Sequence, residues 1–136
     1  MTLVNIIFSL FSLVATETVD LSVTIEGISQ VKGEMHIGVY NKSEGFREID
    51  QTFLNNIIDV KGNTVKCKFE SVPTGNYAVS VFHDLNGNGK LDKGLFGIPS
   101  EPYGFSSNPT ISFGPPSFEE CKVILKADRE IKIKLN

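Results

Sequence analysis

The run from Asp84 to Asp92, DLNGNGKLD, places oxygen-bearing side chains at every second position: Asp84, Asn86 and Asn88. Lys90 then fills the slot that offers a backbone carbonyl, and Asp92 stands ninth. Gly89 occupies the sixth position, where a loop wound around an ion must turn sharply. Hard cations take oxygens at this rhythm, so the spacing predicts calcium as the cofactor. Magnesium wants a small regular octahedron and zinc wants clustered His or Cys, and the loop offers neither. The twelfth position departs from the pattern, because Leu95 stands where a bidentate carboxylate belongs. Glu101 is the next acid downstream and would complete the shell if the bends at Pro99 and Pro102 fold it back. Only two of the ligands within the loop itself are carboxylates, which predicts weak affinity, on the order of 10⁻⁴ to 10⁻³ M. The same residues also read as a pair of Asn-Gly turns, Asn86-Gly87 and Asn88-Gly89, which need no ion.

His83 immediately precedes the loop. A hydrolase would use it as general base with Asp84 and Glu101 close by, yet no nucleophile elbow of the G-x-S-x-G type is present. A histidine at a strand end more often serves as a hydrogen-bonded rim residue. The functional expectation is therefore a non-enzymatic binding or structural module, with an envelope hydrolase using His83, Asp84 and Glu101 as the alternative. His36 falls on the strand face opposite Met35 and Ile37, where the sequence names no partner for it.

The elements that must position these residues read as strands. Val19, Leu21, Val23 and Ile25 alternate with polar neighbours, and the rhythm returns at Met35, Ile37 and Val39 after a turn at Lys32-Gly33, predicting a hairpin. Val65, Cys67 and Phe69 alternate in the same way. The segment Asn76–His83 is apolar or small on both faces, as a central strand is, and leads straight into the loop. Cys121, Val123 and Leu125, a turn at Asp128-Arg129, then Ile131, Ile133 and Leu135 predict a closing hairpin with a solvated basic face. Only Glu44–Asn56 breaks the rhythm, with Phe46, Ile49 and Phe53 at helical spacing, which suits a short helix or an irregular crossover. About seven short strands point to an all-β antiparallel sandwich of immunoglobulin or transthyretin-like kind.

Residues 84–118 interrupt this pattern with six of the 12 glycines and five of the six prolines. A long loop this rich in Leu, Ile, Phe and Tyr is too apolar for a solvated linker, so something must order it. A cation at its root would do so. Tyr103, Phe105, Phe113 and Phe118 are expected to pack the loop onto the sandwich rather than to stack a ligand.

At 136 residues the chain suits one domain, 17–136, behind an uncharged apolar segment, Met1–Thr16, that resembles a secretory leader and is too short to span a bilayer as a helix. The expectation is an exported protein, periplasmic, at the cell surface or secreted, and not integral to the membrane once processed. A net charge of −3 gives no basic field for nucleic acid, leaving an envelope or extracellular ligand as the expected partner. Cys67 and Cys121 share the inward phase of their strands, so a bridge between the sheets and two buried free thiols both remain open.

The run HDLNGNGKLDKGLFGIPSEPYGFS, preceded by VPTGNYAVSVF and followed by GPPSF, resembles the bacterial "domain of unknown function 2141" family over most of the chain, from about Leu21 to Leu135. The resemblance implies an exported, small, sandwich-like protein and places Asp84, Asn86, Asn88, Gly89 and Asp92 in a family block. It implies no activity, because the family is uncharacterised. The turn PTGNYAV is also loosely similar to carboxypeptidase regulatory-like and collagen-adhesin B-type sandwiches.

Overall fold

The alternating segments become strands, and their apolar faces turn toward one another across two layers. The computed structural model describes residues 15–111 and 113–136, and the leader-like segment Met1–Thr16 falls almost wholly outside them. The strands are β1 (Thr18–Glu26), β2 (Glu34–Tyr40), β3 (Leu54–Asp59), β4 (Val65–Pro73), β5 (Gly75–Asp84), β6 (Tyr103–Phe105), β7 (Val123–Leu125) and β8 (Arg129–Lys134), with a one-turn helix α1 (Phe118–Cys121) before β7. One sheet runs β4-β1-β8 and the other β3-β2-β5-β6, with β7 also pairing to β5. All pairings are antiparallel except β1 with β8. The fold is thus an all-β sandwich, and β5 is central to its sheet.

Leu21, Val23 and Ile25 of β1, Met35, Ile37 and Val39 of β2, and Val79 and Val81 of β5 fill the space between the sheets and are essentially inaccessible to water. A second, smaller cluster lies on the outer face of the five-stranded sheet, where Tyr40, Phe46, Ala78, Phe105, Phe118 and Cys121 come together. Phe46 stands edge-on to Tyr40 at 5.2 Å and to Phe118 at 5.8 Å, the geometry that aligns ring edges with ring faces.

Several sequence expectations change. β1 and β2 lie in opposite sheets instead of forming a hairpin, because two strands with one apolar face each bury more by facing across the core than by lying side by side. The closing hairpin is likewise divided: β7 joins β5, whereas β8 crosses to pair in parallel with β1. Glu44–Asn56 contains only a 3₁₀ turn at Ile49–Gln51 before the edge strand β3, and Ile49 and Phe53 are exposed. Cys67 belongs to the inter-sheet core and Cys121 to the outer cluster, so a sheet separates them and both are free thiols.

The long excursion is ordered in its second half. β6 pairs with β5, and the buried Ser106 hydroxyl donates to the Cys121 carbonyl while accepting the Val79 N–H at 2.8 Å. Gly104 lets β6 close against the edge of β8: a Cβ there would lie 2.7 Å from Ile133 Cγ2 and 3.0 Å from the Lys134 carbonyl oxygen. Phe105 and Phe118 pack as expected, whereas Phe113 is fully exposed. No helix among the described residues is long and apolar enough to cross a membrane.

Candidate metal centre and adjoining cleft

β5 delivers Asp84 to the root of the loop with its side chain wholly buried. Its Oδ1 accepts the N–H groups of Gly87 at 3.0 Å and Asn88 at 3.2 Å, and its Oδ2 accepts that of Gly89 at 2.8 Å. Three successive backbone donors aimed at one carboxylate wind the chain into a tight loop. Gly89 reverses it with φ +75°, a conformation that a side chain would strain.

Asn86, Asn88 and Asp92 meet on the outer side of this loop. The Asn86 amide donates to Asp92 Oδ2 at 2.6 Å and the Asn88 amide to Asp92 Oδ1 at 2.7 Å, so the two amides grip both oxygens of one carboxylate. Their own oxygens accept the N–H groups of Asn88 and Lys90 at 3.2 and 3.0 Å. These amides hold the Asp92 carboxyl below its ordinary value, Asn88 first and Asn86 after it, against an opposing push from desolvation.

Glu101 reaches the loop from the far side of the Pro99 bend. Its Oε2 accepts Leu85 N–H at 2.7 Å and its Oε1 accepts Asp92 N–H at 2.9 Å, so one buried carboxylate ties together the start and the end of the loop. Ser100 reinforces the closure by donating its N–H and its hydroxyl to the Asp92 carbonyl. The structure therefore gathers Asp84, Asn86, Asn88, Lys90, Asp92 and Glu101 into one compact loop.

His83 goes elsewhere. Consecutive strand residues leave opposite faces, and His83, paired with Met35, is buried on the inner side with Nε2 2.6 Å from the Lys32 carbonyl oxygen. It does not converge with Asp84 and Glu101. The residue that does meet Asp84 is His36, whose Nε2 lies 3.3 Å from Asp84 Oδ2. Reading the sequence did not find this contact because it depends on the register of β2 against β5. The available signal was Glu34 and His36 in the outward phase of one strand and Asp84 in the outward phase of another.

Beyond the loop a cleft of about 970 Å³ opens on the outer face of the sheet. Ser80, Phe82, Tyr103 and Phe105 of β5 and β6 line it, with Arg47–Asp50 contributing from one segment and Lys90, Leu91, Lys93 and Ile98 from the loop. The chain that leaves the candidate metal loop is thus also a wall of the cleft. Neither cysteine is a reactive group here: desolvation raises the Cys67 thiol, and pushes that of Cys121 up to about 12.

A family model described as "Uncharacterized protein conserved in bacteria (DUF2141)" matches residues 23–134. No curated protein and no solved structure matches the chain.

Proposed function

The chain belongs to the DUF2141 family of uncharacterised proteins conserved in bacteria, and from that premise we propose that it is an exported, non-enzymatic binding module of the cell envelope, with calcium held in the loop Asp84–Asp92. The observation that carries this reading is the convergence of Asn86 and Asn88 on Asp92 above the buried Asp84, in the segment that continues into the cleft wall. Asp84, Asn86, Asn88 and Asp92 would supply side-chain oxygens, Lys90 its carbonyl, and Glu101 a further carboxylate at the root. An ion beside Asp92 displaces the amide N–H donors now facing it. Each amide turns about one soft terminal torsion to present oxygen instead, releasing the Asn88 and Lys90 N–H groups it now accepts. Calcium then fixes the position of Lys90, Leu91 and Lys93, and through them the shape of the cleft. The ligand is an envelope or extracellular molecule with an apolar body, matched to Phe82, Tyr103 and Phe105.

Thermal unfolding with millimolar calcium and then with chelator tests the reading. At the expected dissociation constant, calcium at about 10 mM stabilises the folded chain by about 1.4–2.7 kcal/mol, and Asp92→Ala removes the response. A wild-type melting curve identical in calcium and chelator overturns it.

A further inference from the structure

We propose that Glu34, His36 and Asp84 form a separate site for a borderline divalent cation of the zinc class, on the outer face of the sheet beside the calcium loop. Antiparallel pairing of β2 with β5 sets Glu34 opposite Asp84 and His36 opposite Phe82. Two carboxylates thus sit in register across neighbouring strands, like charges whose repulsion a cation between them would relieve. His36 stands beside both, its Nε2 3.3 Å from Asp84 Oδ2 and 3.5 Å from Glu34 Oε2. One ligand atom from each of the three side chains lies within 4.8 Å of the others. Ligands at the usual 2.0–2.2 Å from tetrahedral zinc stand about 3.4 Å from one another, so the two distances to Nε2 are already those of a coordination shell.

His36 Nε2 is buried and, although within ion-pair distance of Asp84 and Glu34, makes no aligned hydrogen bond, the sole buried side-chain nitrogen or oxygen in that condition among the described residues. An orphaned imidazole nitrogen aimed between two carboxylates is a donor waiting for an acceptor of lone pairs. Stacking of its ring on Phe82, centroids 4.6 Å apart and 15° from parallel, holds the nitrogen in place. The Asp84 side chain is 0 % exposed and that of His36 12 %, whereas Glu34 is 42 % exposed, so an ion would enter past Glu34 and keep water in its fourth position. A nitrogen donor selects against calcium and magnesium and toward zinc, cobalt or nickel. The two sites border the same carboxylate but differ in ion class and in every other ligand.

The test titrates the metal-free wild-type chain with Zn²⁺ by calorimetry, and with Co²⁺ by visible absorption, which reports tetrahedral coordination. One equivalent is expected to bind, with intense d–d bands for cobalt. His36→Gln, chosen to keep a polar side chain, is expected to weaken zinc at least 100-fold while leaving the calcium response of the melting curve intact. Glu34→Gln, which replaces a charged ligand by a neutral amide, weakens it less than His36→Gln does, and Asp92→Asn abolishes the calcium response without touching zinc. No zinc uptake at millimolar concentration, or wild-type uptake by His36→Gln, overturns the proposal. In that case the cluster holds no ion or the zinc is held elsewhere. A comparison of wild-type and His36→Gln melting curves in chelator verifies that the variant is folded.

Discussion

On its inner face β5 sets Val79 and Val81 into an aliphatic core shared with β1, β2 and β8, whereas on its outer face Ser80, Phe82 and Asp84 support a cleft, an aromatic pair and a hydrogen-bonded loop. The inner side is held by burial of apolar area, at about 25 cal/mol per Å². It is non-directional and spread over many residues. The loop on the outer side is held mostly by a few carboxylates receiving backbone N–H groups, each such bond worth about 1.5–3 kcal/mol net. One strand thus serves two regions held by different forces, and the contrast predicts that the loop opens while the sheets stay intact.

The largest effect that would sharpen this contrast is in the core. Ile25→Ala removes a side chain with no exposure and is expected to cost about 2–5 kcal/mol, lowering the melting temperature and the hydrogen-exchange protection of both sheets together. Asp84→Ala is expected to cost about 2 kcal/mol, because the Gly87 and Gly89 N–H groups lose their carboxylate acceptor while the Asn88 N–H keeps only the Asn86 oxygen. Amide exchange should rise first at Gly87, Asn88 and Gly89. If β1 amides lose protection in step with them, the loop and core are one cooperative unit and the comparison fails.

Glu101→Gln keeps size but turns one accepting oxygen into a donor, so one of the two stapled N–H groups loses its partner. The expected cost is about 1–2 kcal/mol, read as faster exchange at Leu85 or Asp92 with β1 and β4 unchanged. A smaller effect is expected from acid. The Asp92 carboxyl is held below its ordinary value of 3.8, so the folded loop binds that proton less readily than the unfolded chain does. Its contribution is complete above pH 4 and is lost as pH falls through the depressed folded value. NMR shifts of the Asn86 and Asn88 side-chain amides should therefore change below pH 3.8 and not between pH 5 and 8. The smallest effect is chemical: Cys121, a thiol pushed up to about 12, should resist alkylation at neutral pH until the chain unfolds.

The period-two runs at Val19–Ile25, Met35–Val39 and Val65–Phe69 were legible because a strand writes its inward and outward faces into its own residues. The segment Leu54–Asp59 was not, since an edge strand with Asn55, Asn56 and an exposed Ile57 carries little apolar alternation. The loop was legible because its donors and acceptors lie within nine residues of one another. Glu101, expected from its spacing as a further ligand, lies at the root of the loop and closes it through the Leu85 and Asp92 N–H groups, which no ligand spacing announces.

What the amino-acid order determined alone is phase and turning: which side chains share a face, where Gly89 reverses the chain, which oxygens recur at every second residue. Partnership was decided only in three dimensions. The sheet assignment of β1, β2, β7 and β8, the separation of Cys67 from Cys121, and the meeting of Glu34 and His36 with Asp84 all depend on strands brought together from distant parts of the chain. Register between such strands is chosen by the summed packing of the whole core, because a slip of one residue would turn every apolar side chain outward. No single stretch of residues carries that sum.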